Sequence, residues 1–273
     1  MKNLLLSRRN ILKISTSLFL FVLIFNSCSK SSDDPEPAPP TGTNCRLDSI
    51  TGVLTYAGGS LYERATFGYD NQNRCNAYYF NLTYKQLYAY GNDDKVIRCD
   101  IFSGTTQTEE RLLQYDAQGR MTGYTSTLQA TNTASPDKLL INYTEPITTF
   151  IYLKNNDTLS TKIFYFENEN NVRTEYYQLG FLVKIDSFSY GSALDQHYPG
   201  KEILILTTGA PTSKNLRTRY VSYDVTTAKR SWEENYTYEF DSDDKLVRKT
   251  IVAIHPEPTL NYRFEQHMNY SCR

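Results

Sequence analysis

Tyr115-Asp116-Ala117-Gln118-Gly119-Arg120-Met121 reads as a tight turn between two strands. Asp and Gly tolerate turn dihedrals and cap local backbone, so the middle of the stretch is a hairpin tip. Its aromatic and apolar ends then sit on the two strands and pack across them. The plan recurs at Tyr69-Asp70-Asn71-Gln72-Asn73-Arg74-Cys75, Tyr90-Gly91-Asn92-Asp93-Asp94-Lys95-Val96, Phe166-Glu167-Asn168-Glu169-Asn170-Asn171-Val172 and Phe240-Asp241-Ser242-Asp243-Asp244-Lys245-Leu246. Each copy has an aromatic, four turn-forming polar residues, a basic or amide residue, and an apolar residue six places after the aromatic. Successive copies lie about 25 residues apart or at two or three times that spacing, which predicts a repeat architecture of two strands per unit.

Between the copies, Asn155-Asn156-Asp157 and Leu179-Gly180 are further predicted hairpin tips. Ile203-Leu204-Ile205-Leu206 is apolar on both faces and reads as a buried strand, although four such residues also suit a helix interior. No helical periodicity of useful length follows residue 45. With 23 Tyr and 13 Phe against 3 Met and 1 Trp, aromatic and β-branched enrichment favours sheet. The expected class is all-β: an antiparallel meander of repeated long hairpins, curved into an open or barrel-like shell that hides its edges.

The chain begins with an address. Lys2, Arg8, Arg9 and Lys13 precede an uncharged run from Ile14 to Phe25, too short for a transmembrane helix, which needs about 20 residues, and typical of a signal peptide. Phe25-Asn26-Ser27-Cys28 resembles a lipobox, which implies cleavage before Cys28 and its lipidation. Ser7-Arg8-Arg9 resembles a twin-arginine export signal, while the strongly apolar run favours export of an unfolded chain. Residues 29–44 carry Ser, Asp and four prolines and read as an extended tether, reaching up to ~50 Å at about 3.1 Å per residue. The expected organisation is a signal peptide over residues 1–27, lipidated cysteine and linker over 28–44, and one β domain over 45–273.

The turn motif and the lipobox together resemble the YD-repeat-like, RHS-repeat-like lipoproteins of unknown function found in Bacteroidetes. The copy at 115–121 is the closest to that repeat. What the resemblance implies is architecture, a curved antiparallel meander, and a lipid-anchored place at the outer membrane, on the cell surface or the periplasmic face.

Four cysteines remain beyond Cys28, and in an oxidising compartment an even number suggests disulfides. The repeat favours Cys75 with Cys99, on neighbouring hairpins, and Cys45 with Cys272, at the two ends of the domain.

Catalytic patterns are scarce. His197, His255 and His267 fall in no metal-ligand spacing, and no nucleophile elbow, phosphate loop or dinucleotide fingerprint occurs. The acidic runs at Asn92-Asp93-Asp94 and Asp241-Ser242-Asp243-Asp244 coincide with predicted turns and lack the glycine and distal glutamate of a calcium loop. No cofactor is expected. The four leader basics leave 25 against 30 acidic residues, a net charge of −5 that gives no reason to expect nucleic acid. Tyr78, Tyr79, Tyr176, Tyr177 and Trp232 are candidates for an aromatic ligand platform. The expected function is a non-enzymatic binding or scaffold module, anchored to the membrane by its lipid and contacting glycan, peptide or a partner protein. The alternative is a polysaccharide hydrolase with two carboxyls about 5 to 10 Å apart in a groove.

Overall fold

A computed structural model describes residues 45–128, 136–195 and 201–272. The leader, Cys28, the tether and His197 lie outside them. Sixteen strands follow one another: β1 (Cys45–Tyr56), β2 (Gly59–Tyr69), β3 (Cys75–Phe80), β4 (Tyr84–Tyr90), β5 (Val96–Ser103), β6 (Thr106–Tyr115), β7 (Met121–Leu128), β8 (Lys138–Thr144), β9 (Ile147–Lys154), β10 (Asp157–Glu167), β11 (Asn170–Gln178), β12 (Phe181–Leu194), β13 (Asn215–Asp224), β14 (Lys229–Phe240), β15 (Leu246–Ile254) and β16 (Tyr262–Cys272). Each pairs antiparallel with the next, and β16 returns to β1, from Cys45 opposite Cys272 to Tyr56 opposite Tyr262. The meander therefore closes into a barrel and leaves no strand edge unpaired.

The repeated turns occupy alternate connections, so they all gather at the rim where β1 begins. Their chemistry is local. Asp116 accepts hydrogen bonds from the backbone of Gln118 and Arg120 and from the Arg120 side chain. Asp70 does the same for Gln72 and Arg74. The fourth turn residue is left-handed in four of the five copies, with φ of 65° at Asn73, 59° at Asp94, 76° at Gly119 and 58° at Asp244, a conformation that Asn, Asp and Gly adopt most easily; in the copy at 166–172 the left-handed residues are instead Asn168 and Glu169. The ladder slips by one residue just before each turn, between Ala89/Tyr90 and Gln114/Tyr115 for example. The apolar ends, Cys75, Val96, Met121 and Leu246, are all buried in one core.

Neighbouring units are then locked together. The Tyr90 hydroxyl donates to the Cys75 carbonyl, Tyr115 to Val96 and Tyr143 to Met121, at 2.7, 2.7 and 2.9 Å. The basic residue of one turn lies over the tyrosine of the next, with Arg74 4.4 Å from the Tyr90 ring centroid, Lys95 5.5 Å from Tyr115 and Arg120 4.8 Å from Tyr143. Tyr143 thus stands in the gap between the copies at 115 and 166.

The expected strand at 203–206 is a helix instead. α1 (Lys201–Thr208) lies in the β12–β13 crossover, and its Ile203, Ile205 and Leu206 join the barrel core with Phe67, Tyr88, Ile101 and Phe150. The reason is the closed sheet: a segment inside the lumen finds no free ladder, so its backbone must bond to itself. The helix ends on Gly209, in the left-handed region with φ 64°, whose N–H bonds the Ile205 carbonyl at 2.9 Å. Two cations from the wall hold this end, Arg111 on the Leu206 carbonyl and Lys162 on the Gly209 carbonyl, each at 3.3 Å, where a helix dipole favours positive charge.

The expected bridge between Cys75 and Cys99 is not formed; both are free, buried thiols. Cys75 is on β3 and Cys99 on β5, with β4 between them. Strands are about 4.8 Å apart, so next-but-one neighbours stand roughly 10 Å apart, beyond the ~7 Å limit of a disulfide.

The outer wall is charged. Along β16, Arg263, Glu265, His267 and Asn269 alternate with Phe264, Gln266 and Met268, which line the interior. Arg219 and Arg230 pair with Glu233, and Arg173 with Glu175. A lipid-facing barrel needs an apolar band about 25 Å tall, and a cation at mid-bilayer costs roughly 2–4 kcal/mol. Ile97, Leu112 and Val252 are exposed between these charges.

Candidate functional site

α1 and the residues after it fill only part of the lumen. A cavity of about 430 Å³ remains on one side, walled chiefly by β11–β16 and by Thr208, Ala210, Pro211 and Ser213 of the crossover. A second of about 130 Å³ lies against Ile203, between Glu63, Phe67, Tyr78 and Phe264.

Around the wall of the larger cavity, basic residues and tyrosines alternate from strand to strand. Lys162 on β10 is in register with Tyr176 on β11, which is in register with Lys184 on β12. The Lys184 ammonium lies 4.5 Å from the Tyr176 ring centroid. Tyr220 on β13 follows, its ring stacked on Phe188 at 5.5 Å and 17°. Arg217 lies 4.3 Å over the Phe188 ring and 5.8 Å from that of Tyr236 on β14, and Lys249 on β15 is 5.4 Å from the other side of this belt, again at Tyr236. The inward face of each strand supplies these residues because side chains alternate in and out.

The charges are not evenly matched. Lys184 pairs with Asp186 at 3.0 Å, and the Tyr220 hydroxyl donates to the same carboxylate at 3.2 Å. Burial pulls the Lys184 ammonium down, but Asp186 and Tyr220 outweigh it and raise its pKa. Lys162 has no such partner, and burial together with Lys184 lowers it. Lys249 is lowered to about 8, chiefly by burial and then by the Arg217 charge. Arg217 reaches the Tyr236 hydroxyl at 3.5 Å, yet its buried Nε has no hydrogen-bond acceptor. Glu234, the carboxylate nearest this pair on β14, is taken by Trp232, Tyr236 and Tyr262. Asp186 and Asp195 are the two carboxylates on the cavity wall.

The five aromatics singled out from sequence do not form one platform. Tyr176 lines the larger cavity and Tyr78 the smaller, where it packs 5.6 Å from Phe67. Tyr79 is 41 % exposed on the opposite face of its strand. Tyr177 also points outward, donating to Glu175 at 2.9 Å. Trp232 packs on Tyr262 and His255, at 5.3 and 5.4 Å. The rings in each Tyr-Tyr pair part company because adjacent strand residues face opposite ways. Sequence reading missed Lys184, Asp186, Arg217, Tyr236 and Lys249. One signal was available: a charged residue at an inward position of an alternating strand, such as Lys249 in step with Ile251 and Ala253.

No family model matches the sequence, and no curated protein matches it. Among solved structures, the chain is similar to a porin-like protein from Bacteroides uniformis ATCC 8492, with TM-score 0.56 at 12 % identity over 83 % of this chain and 98 % of that one. A porin-like protein from Bacteroides vulgatus ATCC 8482 matches with TM-score 0.41 at 9 % identity, over 84 % and 99 %. At 12 % identity the first likeness is one of fold, an antiparallel barrel in both.

Proposed function

We propose that this chain is a lipid-anchored envelope protein of the YD-repeat-like kind, whose barrel is a non-enzymatic binding module that takes a small ligand into its lumen. The observation that carries this reading is the cavity of about 430 Å³ left beside α1, lined by tyrosines, basic residues and a few apolar groups. Ligand sites of soluble proteins are concave, fall in the range of about 300–1,000 Å³ and combine apolar surface with a few placed polar groups. The charged outer wall fits a barrel held in water near a membrane by a tether on Cys28, rather than one embedded in lipid. A glycan or glycan fragment suits the ring-lined wall, since sugars stack on aromatic faces.

The test is native mass spectrometry of the lipidated protein purified from the envelope fraction, beside a glycan array. The expected result is a retained or captured small ligand that the lumen-filling substitution Ala210→Trp excludes. An empty array together with no ligand in the wild-type protein would overturn the lumen reading.

A further inference from the structure

We propose that the larger cavity is a site for a small organic anion, a carboxylate or phosphate borne on a ring-sized body. Arg217 and Lys249 take the charge, while Phe188, Tyr220 and Tyr236 take the body. The inference rests on the lumen-binding reading and deepens it to a ligand class.

The other basic residues of the lumen wall have a carboxylate or carbonyl partner, whereas Arg217 reaches only the hydroxyls of Tyr236 and Tyr190. Arg111 is paired with Glu109 at 2.6 Å, Lys184 with Asp186 at 3.0 Å, and Lys162 donates to the Gly209 carbonyl. Among the described residues, Arg217 and Lys249 form no ion pair, and Lys249 donates no hydrogen bond. Of the nearby carboxylates, Glu234 is taken by three donors and Asp186 by Lys184 and Tyr220, while Asp195 on the cavity wall forms no ion pair with either cation and only partly offsets the burial of Lys249. Lining the cavity, Lys249 turns its accessible part to that space. A buried cation without a counter-charge is costly, and such costs concentrate where a ligand supplies the missing group. Two cations on either side of one ring, Tyr236, set a positive pole at one place on the wall.

The body of the ligand follows from what surrounds that pole. Phe188 and Tyr220 are stacked nearly parallel, and the guanidinium carbon of Arg217 lies 4.3 Å from the Phe188 ring centroid. The Arg217 Nε is buried without an acceptor, and a guanidinium bonds carboxylate or phosphate oxygens through parallel N–H donors. A cationic ligand would meet Arg217, Lys249 and Lys184 on the same wall and be repelled.

Three probes of one shape test this: 1-naphthoate, 1-naphthyl phosphate and neutral 1-naphthamide, titrated calorimetrically into the full lipidated protein in detergent. At least one anion should bind more tightly than the amide by about tenfold or more, since a hydrogen bond to a charged group contributes about 1.5–3 kcal/mol. The two anions also separate a carboxylate site from a phosphate site. Lys249→Met should remove that preference, Lys249→Arg should retain it, and circular dichroism melting should show both variants folded. Equal binding of anion and amide would overturn the anion assignment while leaving the lumen reading in place. An anion preference that survives both Lys249→Met and Ala210→Trp would place the anion elsewhere and overturn it as well. No binding of any probe at millimolar concentration would sink the inference and weigh against the lumen itself.

Discussion

The Tyr115 hydroxyl donates to the Val96 carbonyl at 2.7 Å while the ammonium of Lys95 sits 5.5 Å from the same ring. One residue of each turn thus reaches back to its predecessor, and the residue before the acceptor reaches forward. The arrangement turns a string of hairpins into a ring of units that each depend on two neighbours. Tyr115→Phe keeps the ring and removes only the donor, so it should cost about 1 kcal/mol. Lys95→Ala should cost about 0.5–1 kcal/mol through the same ring. Urea unfolding of both single variants and the double variant measures the coupling. Strict additivity would show that the two contacts are independent and that the interlock is not cooperative.

Cys75 and Cys99 are free thiols 1 % and 0 % exposed, and burial pushes each up to about 12. Neither should react with an aromatic disulfide reagent in the native protein at pH 8. Cys45 and Cys272 stand opposite one another on β1 and β16, and directly opposed residues of an antiparallel pair have Cα atoms about 4.5–5.5 Å apart, within reach of a disulfide. We propose that they are bridged in the exported protein. The bridge would tie the strands that close the barrel, and enclosing over two hundred residues it is worth on the order of 5 kcal/mol on the chain-entropy model. In denaturant without reductant, two thiols of the mature lipidated protein should then titrate. Four would show that the closing strands are held by hydrogen bonds alone.

The repeat was legible because its physics is local. An Asp that caps its own turn, a left-handed residue three places later and an apolar anchor are all fixed by neighbours in sequence. Closure of the shell was not legible, because it depends on how far twist accumulates over sixteen strands. The helix at 203–206 defeated a pattern reading for a related reason. Ile203-Leu204-Ile205-Leu206 shows only that the segment is buried, and whether it pairs or coils is decided by whether a free edge exists. The inner belt was hidden most deeply, since Lys162, Lys184, Arg217 and Lys249 come from four strands and meet only through the barrel's register.

Anchoring is testable apart from the fold. Cys28→Ala should move the protein from the membrane fraction to the soluble fraction after cell disruption. The ion pairs of Arg263 with Glu265 and of Arg219 with Glu233 put charges on the outer wall that lipid would disfavour. Retention of the Cys28→Ala protein in carbonate-washed membranes would contradict both the anchor and the water-facing wall.

Lys249 gives the last prediction, because a site built for an anion should be a burden when empty. Its ammonium is held down to about 8 against an ordinary 10.5, first by burial and then by Arg217, with Asp195 and Glu234 pulling weakly the other way and the ring of Tyr236 beside it. Below pH 8 the folded and unfolded chains both carry the proton, and the folded one bears the cost of burying it. Between pH 8 and 10 the folded chain has lost the proton and the unfolded chain has kept it, so stability of the wild-type protein should climb with pH. The window ends near pH 10, where Tyr176, Tyr236 and Tyr238, all raised by burial in the folded state, begin to ionise in the unfolded chain and reverse the slope. Lys249→Met keeps the length of the side chain without the charge. At pH 7 it should be more stable than wild type, on the order of 1–3 kcal/mol. The gain should shrink as the pH is raised to 10, and saturating naphthoate should stabilise the wild-type protein and leave the variant unchanged. Chemical denaturation across pH 7–10 reads all of this at once, and a Lys249→Met variant less stable than wild type at neutral pH without ligand would mean that Lys249 has a counter-charge in the empty barrel.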